Sequence, residues 1–321
     1  MTIWSNAKFS PAATRLLEDG LAGHRLLRSS VPSAAILAGA PPDPAMAEAD
    51  VAFGQPDPGD CLRYSRVRWV QVTTAGYARY DNDAFREGFR ARGAAFTNSS
   101  SVFAEPAAQH VLAMILAFAR QLLPSYRDQL ADRSWHMNER RYASRLLAGQ
   151  TVLLLGYGAI ARRVAELLGP FGCTIYAIRR QARSETSARI IAEADLTRVL
   201  PQADHIVNVL PDSEATRKWV NARRLACCKK GARFYNVGRG STVDQEALAE
   251  ALTRGPLGGA YLDVTEPEPL PPGHALWSAP NCYITPHTAG GRDDQDEALV
   301  RLFLRNLGAF AQGQPLADRI V

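Results

Sequence analysis

Three charged residues of different chemistry occupy comparable places late in the chain. Arg239 lies between two glycines in Asn236-Val-Gly-Arg-Gly-Ser-Thr-Val-Asp244, Glu268 lies in Asp263-Val-Thr-Glu-Pro-Glu-Pro-Leu-Pro271, and His287 lies in Thr285-Pro-His-Thr-Ala-Gly290. Each follows a short apolar run that reads as a strand: Arg233–Val237, Ala260–Val264 and Cys282–Thr285. In an open parallel sheet the ligand crevice lies beyond the carboxyl ends of the strands, so these are positions for chemistry. An imidazole ordinarily titrates at roughly pH 6.5 and can exchange a proton near neutrality. A carboxylate behind the ring fixes its tautomer, and a guanidinium grips a small anion.

Upstream, Thr151-Val-Leu-Leu-Leu155 is a continuous apolar run, as expected of a strand buried on both faces. Gly156-Tyr157-Gly158-Ala159-Ile160-Ala161 follows directly, then a helical stretch carrying Val164, Ala165, Leu167 and Leu168 that Pro170 and Gly172 stop. Cys173–Ile178 reads as the next strand. In that context Gly156 can take the tight turn, Gly158 leaves the backbone open to a pyrophosphate, and Ala161 permits close helix–strand packing. An NAD-type site places an acidic residue ~20 positions beyond the glycines for the ribose hydroxyl. Here Ile178-Arg179-Arg180-Gln181-Ala182-Arg183 offers no carboxylate, and Arg179, Arg180 and Arg183 could clamp a 2′-phosphate instead. The expectation is NADP, with NAD possible; an ordinary strand–helix turn and a solvated basic loop are the plain alternatives.

The elements that must position these groups alternate along the whole chain. Strand-like runs occur at Ser33–Ala38, Val51–Gly54, Val67–Val72, Ala94–Thr97 and His205–Leu210. Helical patterns cover Glu105–Gln121, Asn221–Cys228 and Asp244–Thr253. A terminal amphipathic helix is expected over Arg292–Gly313, with Leu299, Leu302, Phe303, Leu307 and Phe310 at helical spacing. This alternation reads as an α/β chain with parallel sheets.

With these three motifs in this order behind a glycine turn, the chain resembles the D-isomer-specific 2-hydroxyacid dehydrogenase family over nearly its whole length, and within it the glyoxylate/hydroxypyruvate reductases. The resemblance implies two Rossmann-like, doubly wound parallel-sheet α/β domains with an interdomain cleft. Residues 1–99 plus 289–321 would form a flavodoxin-like substrate domain, and residues 100–288 a dinucleotide-binding Rossmann domain. It assigns His287 as the acid–base, Glu268 as its partner and Arg239 as the group that holds and polarises the substrate. In similar proteins the backbone N–H groups at Ala75, Gly76 and Tyr77 receive the substrate carboxylate; a simple loop glycine is the alternative there. Phe53 and Gly54, ending a neighbouring strand, are candidates for the same pocket. Cofactor contacts are implied at Gly156, Tyr157, Gly158, Ala159, Ile160, Leu210, Pro211, Thr216, Val237, Asp263, Ala289 and Gly290, beside the three arginines. The implied reaction is NADPH-dependent reduction of a small 2-oxo acid to the D-2-hydroxy acid by a homodimer. A phosphite-type dehydrogenase and a non-catalytic, corepressor-like dinucleotide sensor are the rival readings, while Glu268 disfavours a formate-type enzyme.

Glu266 is read as solvated, since Glu268 lies five residues after Asp263 and directly before Pro269 as in the family. His24, His110, His136, His205 and His274 fall outside its catalytic positions and are read as structural or surface residues. Trp135 is either part of an interface segment, as in some relatives, or an ordinary core or surface aromatic. Two departures are Ala161 for the third glycine and Gln109 where many relatives carry Glu.

Composition narrows the remaining classes. The 321 residues are 46% hydrophobic and 21% charged, with a net charge of +5. That excess is thin and forms no long basic run, so neither nucleic acid nor membrane is expected as a partner. The longest apolar run, Val111 to Ala119, is far short of the ~20 residues that cross a bilayer and reads as a buried helix. Cys61, Cys173, Cys227, Cys228 and Cys282 lack zinc-site spacing, no metal site is expected, and reduced thiols in the cytoplasm are the economical reading. The N-terminus shows no secretory signal pattern.

Overall fold

The structure, a computed structural model, describes residues 1–31, 40–179 and 187–321. The expected strand at Ser33–Ala38 and the arginines Arg180 and Arg183 lie outside the described residues. The chain divides into two compact units, residues 1–103 with 292–321, and residues 104–291.

The first unit is built on five parallel strands, β1 (Thr2–Ser5), β2 (Arg25–Arg28), β3 (Val51–Gly54), β4 (Trp69–Val72) and β5 (Ala95–Thr97), in the order β2-β1-β3-β4-β5. This is a flavodoxin-like order with its switch point between β1 and β3. β1 and β2 are absent from the sequence reading: four residues each, and for β2 a polar-ended edge strand, give no periodic signal. The helix Pro11–Gly20 starts where Ser10 caps the N–H of Ala13 at 3.1 Å and proline fills the first turn. The terminal helix, Gln295–Ala311, returns to this unit. Its Phe303 stacks on Phe53 at 4.1 Å and on Trp69 at 5.2 Å, and its Asn306 donates to Gln71 at 2.9 Å. Phe53 is therefore fully buried between Phe9 and Phe303, which corrects its expected place in a substrate pocket.

The second unit carries seven parallel strands, β6 (Thr151–Leu155), β7 (Thr174–Ile178), β8 (Arg189–Ile191), β9 (His205–Asn208), β10 (Arg233–Asn236), β11 (Gly259–Leu262) and β12 (Cys282–Ile284). Their order, β12-β11-β10-β9-β6-β7-β8, is the doubly wound Rossmann order, with its switch point between β6 and β9. β9 and β11 are buried end to end, and β6 and β10 at all but their first residue, which is why apolar runs marked them in the sequence. The three-residue edge strand β8 carried no such mark.

The helix expected from Glu105 begins at Ser100 and runs to Ala119. By length and composition alone it could cross a membrane, but Ala107, Ala108, Val111, Ile115 and Phe118 are core residues of the second unit. Gln109, one of the departures, donates to Glu105 one turn earlier at 2.6 Å, and Glu105 also pairs with Arg163.

Candidate active site

β9, β10 and β11 end side by side, and the loops beyond them are knitted together by close backbone packing and buried amides. Asn208 donates to Asn236 at 3.0 Å and to Thr242 at 2.7 Å; Asn236 in turn accepts from the N–H of Gly238 and donates to the carbonyl of Arg239. A Cβ on Gly240 would come within 2.0 Å of the carbonyl carbon and oxygen of Thr265, so only glycine lets these two loops touch. A Cβ on Gly238 would meet the backbone of Leu210 at 2.9 Å. The two glycines around Arg239 are thus explained by packing, and they aim Arg239 between the neighbouring loops.

The Arg239 side chain is half-buried and donates to the carbonyl of Gly238 at 2.6 Å. Burial pulls its pKa down from the ordinary arginine value, while the charges of Glu268 and Asp212 oppose that shift. Asp212 is held by the hydroxyl of Ser241 at 2.6 Å.

Glu268 and His287 meet directly. Oε2 of Glu268 lies 2.8 Å from Nδ1 of His287, and Oε1 accepts the N–H of Thr265 at 3.1 Å. Both side chains are 36% exposed, so the paired ring remains open to a ligand. Gln245 clamps the same loop from the helix Gln245–Thr253, donating to the carbonyl of Glu266 at 2.6 Å and accepting its N–H at 2.9 Å.

His287 sits in the left-handed region at φ 54, a conformation that costs a non-glycine residue energy unless its surroundings impose it. Asp263 imposes it. Its buried carboxylate accepts the N–H groups of Thr288 and Ala289 at 2.8 and 3.0 Å and the hydroxyl of Thr285 at 2.6 Å. Its carbonyl accepts the N–H of His287 at 2.8 Å. Asp263 and Ala289, expected at the cofactor, are thus engaged in shaping the histidine turn.

Beside this constellation, Gly156 takes φ +100 at the end of β6, and Gly158 caps the helix Ala159–Leu168. A Cβ on Gly158 would meet nothing within 4 Å, which leaves the helix N-terminus open to an anion. A cavity of about 740 Å³ opens there, at the switch point. Gly156, Tyr157, Gly158, Arg179, Leu210, Pro211 and Thr216 line it, as do Ile178, Ala192, Glu193, Ala215 and Trp219, which the sequence did not single out. The Tyr157 side chain is buried in the core of the second unit. Ala159 and Ile160 follow in the first helical turn, Val237 is buried, and Gly290 is half-buried beyond the histidine turn. The volume, the open helix terminus and a lining arginine fit a dinucleotide. A larger cavity of about 830 Å³, lined by Arg145, Lys229 and Arg233 among others, opens at the amino ends of the strands, away from every motif above.

The sequence model described as D-isomer specific 2-hydroxyacid dehydrogenase, NAD binding domain, matches residues 112–289. The chain belongs to the D-isomer specific 2-hydroxyacid dehydrogenase family. This dehydrogenase is 32% identical to the glyoxylate reductase of Pyrococcus furiosus over 256 residues, covering 78% of this chain and 74% of that protein. It is also similar to a solved D-isomer specific 2-hydroxyacid dehydrogenase family protein from Aeromonas salmonicida, with 31% identity, a TM-score of 0.77, and coverage of 100% of this chain and 98% of that one. A D-isomer specific 2-hydroxyacid dehydrogenase from Xanthobacter autotrophicus, solved in complex with NADPH and MES, has 26% identity, a TM-score of 0.81, and coverage of 100% and 97%.

The remaining residues of interest have plain settings. In the first unit of the dehydrogenase, Ala75, Gly76 and Tyr77 follow β4 as a half-buried loop, tied at Ala75 by a 2.7 Å bond from Asn98 and at Gly76 by the hydroxyl of Thr74. Gly54 takes φ +141 and packs on Asn6. His205 is buried between Tyr235 and Gln150, His110 stacks on Tyr261, His136 and His274 sit beside Glu139 and Glu246, and His24 contacts the N-terminus. Trp135 is 91% exposed, which excludes the core reading. Gln245, Asn208, Asn236 and Asp212 escaped the sequence analysis because neutral amides and a lone carboxylate carry no spacing pattern.

Proposed function

We propose that this dehydrogenase reduces a small 2-oxo acid, of the glyoxylate or hydroxypyruvate kind, to the D-2-hydroxy acid with NADPH. The 2.8 Å contact between His287 Nδ1 and Glu268 carries the reading. With Nδ1–H donating to Glu268, the other ring nitrogen of His287 is left for the substrate oxygen. In its protonated form that nitrogen gives its proton to the oxygen as the carbonyl is reduced, while Glu268 holds the ring in the orientation that presents it. Arg239 holds the substrate anion and polarises the carbonyl. In the first unit, the N–H groups of Ala75, Gly76 and Tyr77 are the candidate receptor for a carboxylate. Bound NADPH supplies the hydride. Gly156, Gly158 and the helix N-terminus would hold its pyrophosphate, and Arg179 its 2′-phosphate.

The preference for NADPH is supported by Arg179 on the cavity wall and by the NADPH complex of the Xanthobacter relative. A homodimer is supported by the exposed apolar side chains Leu122, Tyr126, Leu130, Trp135, Tyr142 and Leu146, crowded into one segment. Five free cysteines suit the reducing cytoplasm.

The test is steady-state kinetics of the purified protein with glyoxylate and hydroxypyruvate, using NADPH and NADH. kcat/KM is expected to be about tenfold or more higher with NADPH, and Arg179→Gln should erase most of that margin, as loss of a charged hydrogen bond does. Equal use of both cofactors would remove the NADP assignment. Cofactor binding without turnover of any oxo acid would remove the reductase reading in favour of phosphite oxidation or a dinucleotide sensor.

A further inference from the structure

At the carboxyl ends of β1, β3 and β4, the three residues Asn6, Gln55 and Arg79 form a connected polar set beside the Ala75–Tyr77 loop. Gln55 is buried and every polar group it has is engaged. Its backbone N–H and carbonyl pair with the side chain of Asn6 at 2.7 and 3.0 Å, and its side-chain nitrogen donates to Thr73 and Thr74 at 3.0 and 3.2 Å. Its remaining acceptor, Oε1, takes a 2.7 Å hydrogen bond from Arg79. Thr74 continues the chain to the carbonyl of Gly76. The guanidinium of Arg79 is thus fixed next to the loop, half-buried, with its carbon 5.4 Å from the centre of the Tyr80 ring.

Among the described residues Arg79 forms no ion pair; the nearby Asp81 is taken by Arg86. A guanidinium has five donors, and a neutral amide oxygen uses one of them. A half-buried cation held by a neutral acceptor keeps its full charge for a ligand, and its partner Gln55, bonded in turn to Asn6, directly follows β3 beside the β1/β3 switch point, where doubly wound sheets bind ligands.

We infer that Arg79 is a specificity-determining residue that binds a second anionic group on the substrate, so that 2-oxo acids bearing a distal carboxylate or phosphate are preferred over neutral ones of equal size. This rests on the proposed reading of the Ala75–Tyr77 loop as the receptor of the first carboxylate, and it names the substrate class for that site. The shared chemistry is an oxyanion that a guanidinium can fork, and a dicarboxylate and a phosphorylated acid are its two sources.

The experiment compares kcat/KM of the wild type for oxaloacetate, 2-oxoglutarate and 3-phosphohydroxypyruvate with that for 2-oxobutyrate, 2-oxovalerate and glyoxylate. At least one dianionic acid is expected to exceed its neutral counterpart about tenfold or more, the scale of one charged hydrogen bond. The acid that does so tells carboxylate from phosphate. Arg79→Met should collapse the dianion-to-neutral ratio, chiefly through KM, and Arg79→Lys should recover part of it, with unchanged thermal melting excluding misfolding. A wild type that favours neutral chains, or a ratio that Arg79→Met leaves intact, overturns the inference while glyoxylate turnover keeps the underlying reading. Turnover of no oxo acid overturns both.

Discussion

Oε2 of Glu268 faces Nδ1 of His287 at 2.8 Å while Oε1 holds the N–H of Thr265, so one carboxylate both orients the ring and fixes its own loop. Glu268→Gln preserves the shape and replaces the carboxylate that accepts from His287 Nδ1 with a neutral amide. It should lower kcat about 10²-fold, with a smaller effect on KM for the cofactor. Steady-state kinetics on the variant, with thermal melting as a control, would measure this. A variant within a factor of two of the wild type would detach Glu268 from the chemistry.

Gly240 and Gly158 should respond to the same substitution in opposite ways. At Gly240 an added methyl group meets the Thr265 backbone at 2.0 Å, so Gly240→Ala must push apart the loops that carry Arg239 and Glu268. A stability loss of about 1–3 kcal/mol and a fall in kcat are expected, by denaturant unfolding and kinetics.

At Gly158 the added methyl group meets nothing within 4 Å and points into open space at the helix N-terminus. Gly158→Ala should cost no more than about 1 kcal/mol of stability, the scale of an N-cap change, and weaken cofactor binding about tenfold, measured by titration. Loss of stability together with unchanged cofactor affinity would contradict the assignment of the cavity.

His205 has no part in the chemistry but makes stability depend on pH. Burial pushes its pKa down to about 4, and the ring stays neutral between Tyr235 and Gln150. In the unfolded chain it takes up a proton near pH 6.5. Below that pH the unfolded state binds more protons than the native one, so stability falls as the pH drops from about 6.5 to about 4 and levels off beneath it. The loss from this group is about 3 kcal/mol. His205→Gln should flatten the unfolding free energy across that window, and an equally steep profile in the variant would place the effect elsewhere.

What could be read in the sequence followed from local physics. Strands buried on both faces, such as Thr151–Leu155, must be continuous apolar runs, and the loops after them were found because their residues are chemically conspicuous. Three short strands escaped: Thr2–Ser5 is internal but only four residues long, and the edge strands Arg25–Arg28 and Arg189–Ile191 bury little. Contacts between distant neutral groups escaped for another reason. Gln245 reaches Glu266 across 21 positions and Gln55 reaches Arg79 across 24, and an amide in a loop announces no partner. The left-handed backbone of His287 depends on Asp263, 24 positions earlier, and became visible only once the fold brought β11 and β12 together.

The most direct test of the account is single-variant kinetics on His287. NADPH consumption with glyoxylate, or with whichever 2-oxo acid the wild type reduces best, should fall in His287→Ala by about 10²-fold or more in kcat, with cofactor affinity retained by titration. A His287→Ala enzyme that turns over at the wild-type rate would contradict the central claim that this imidazole, braced by Glu268, moves the proton.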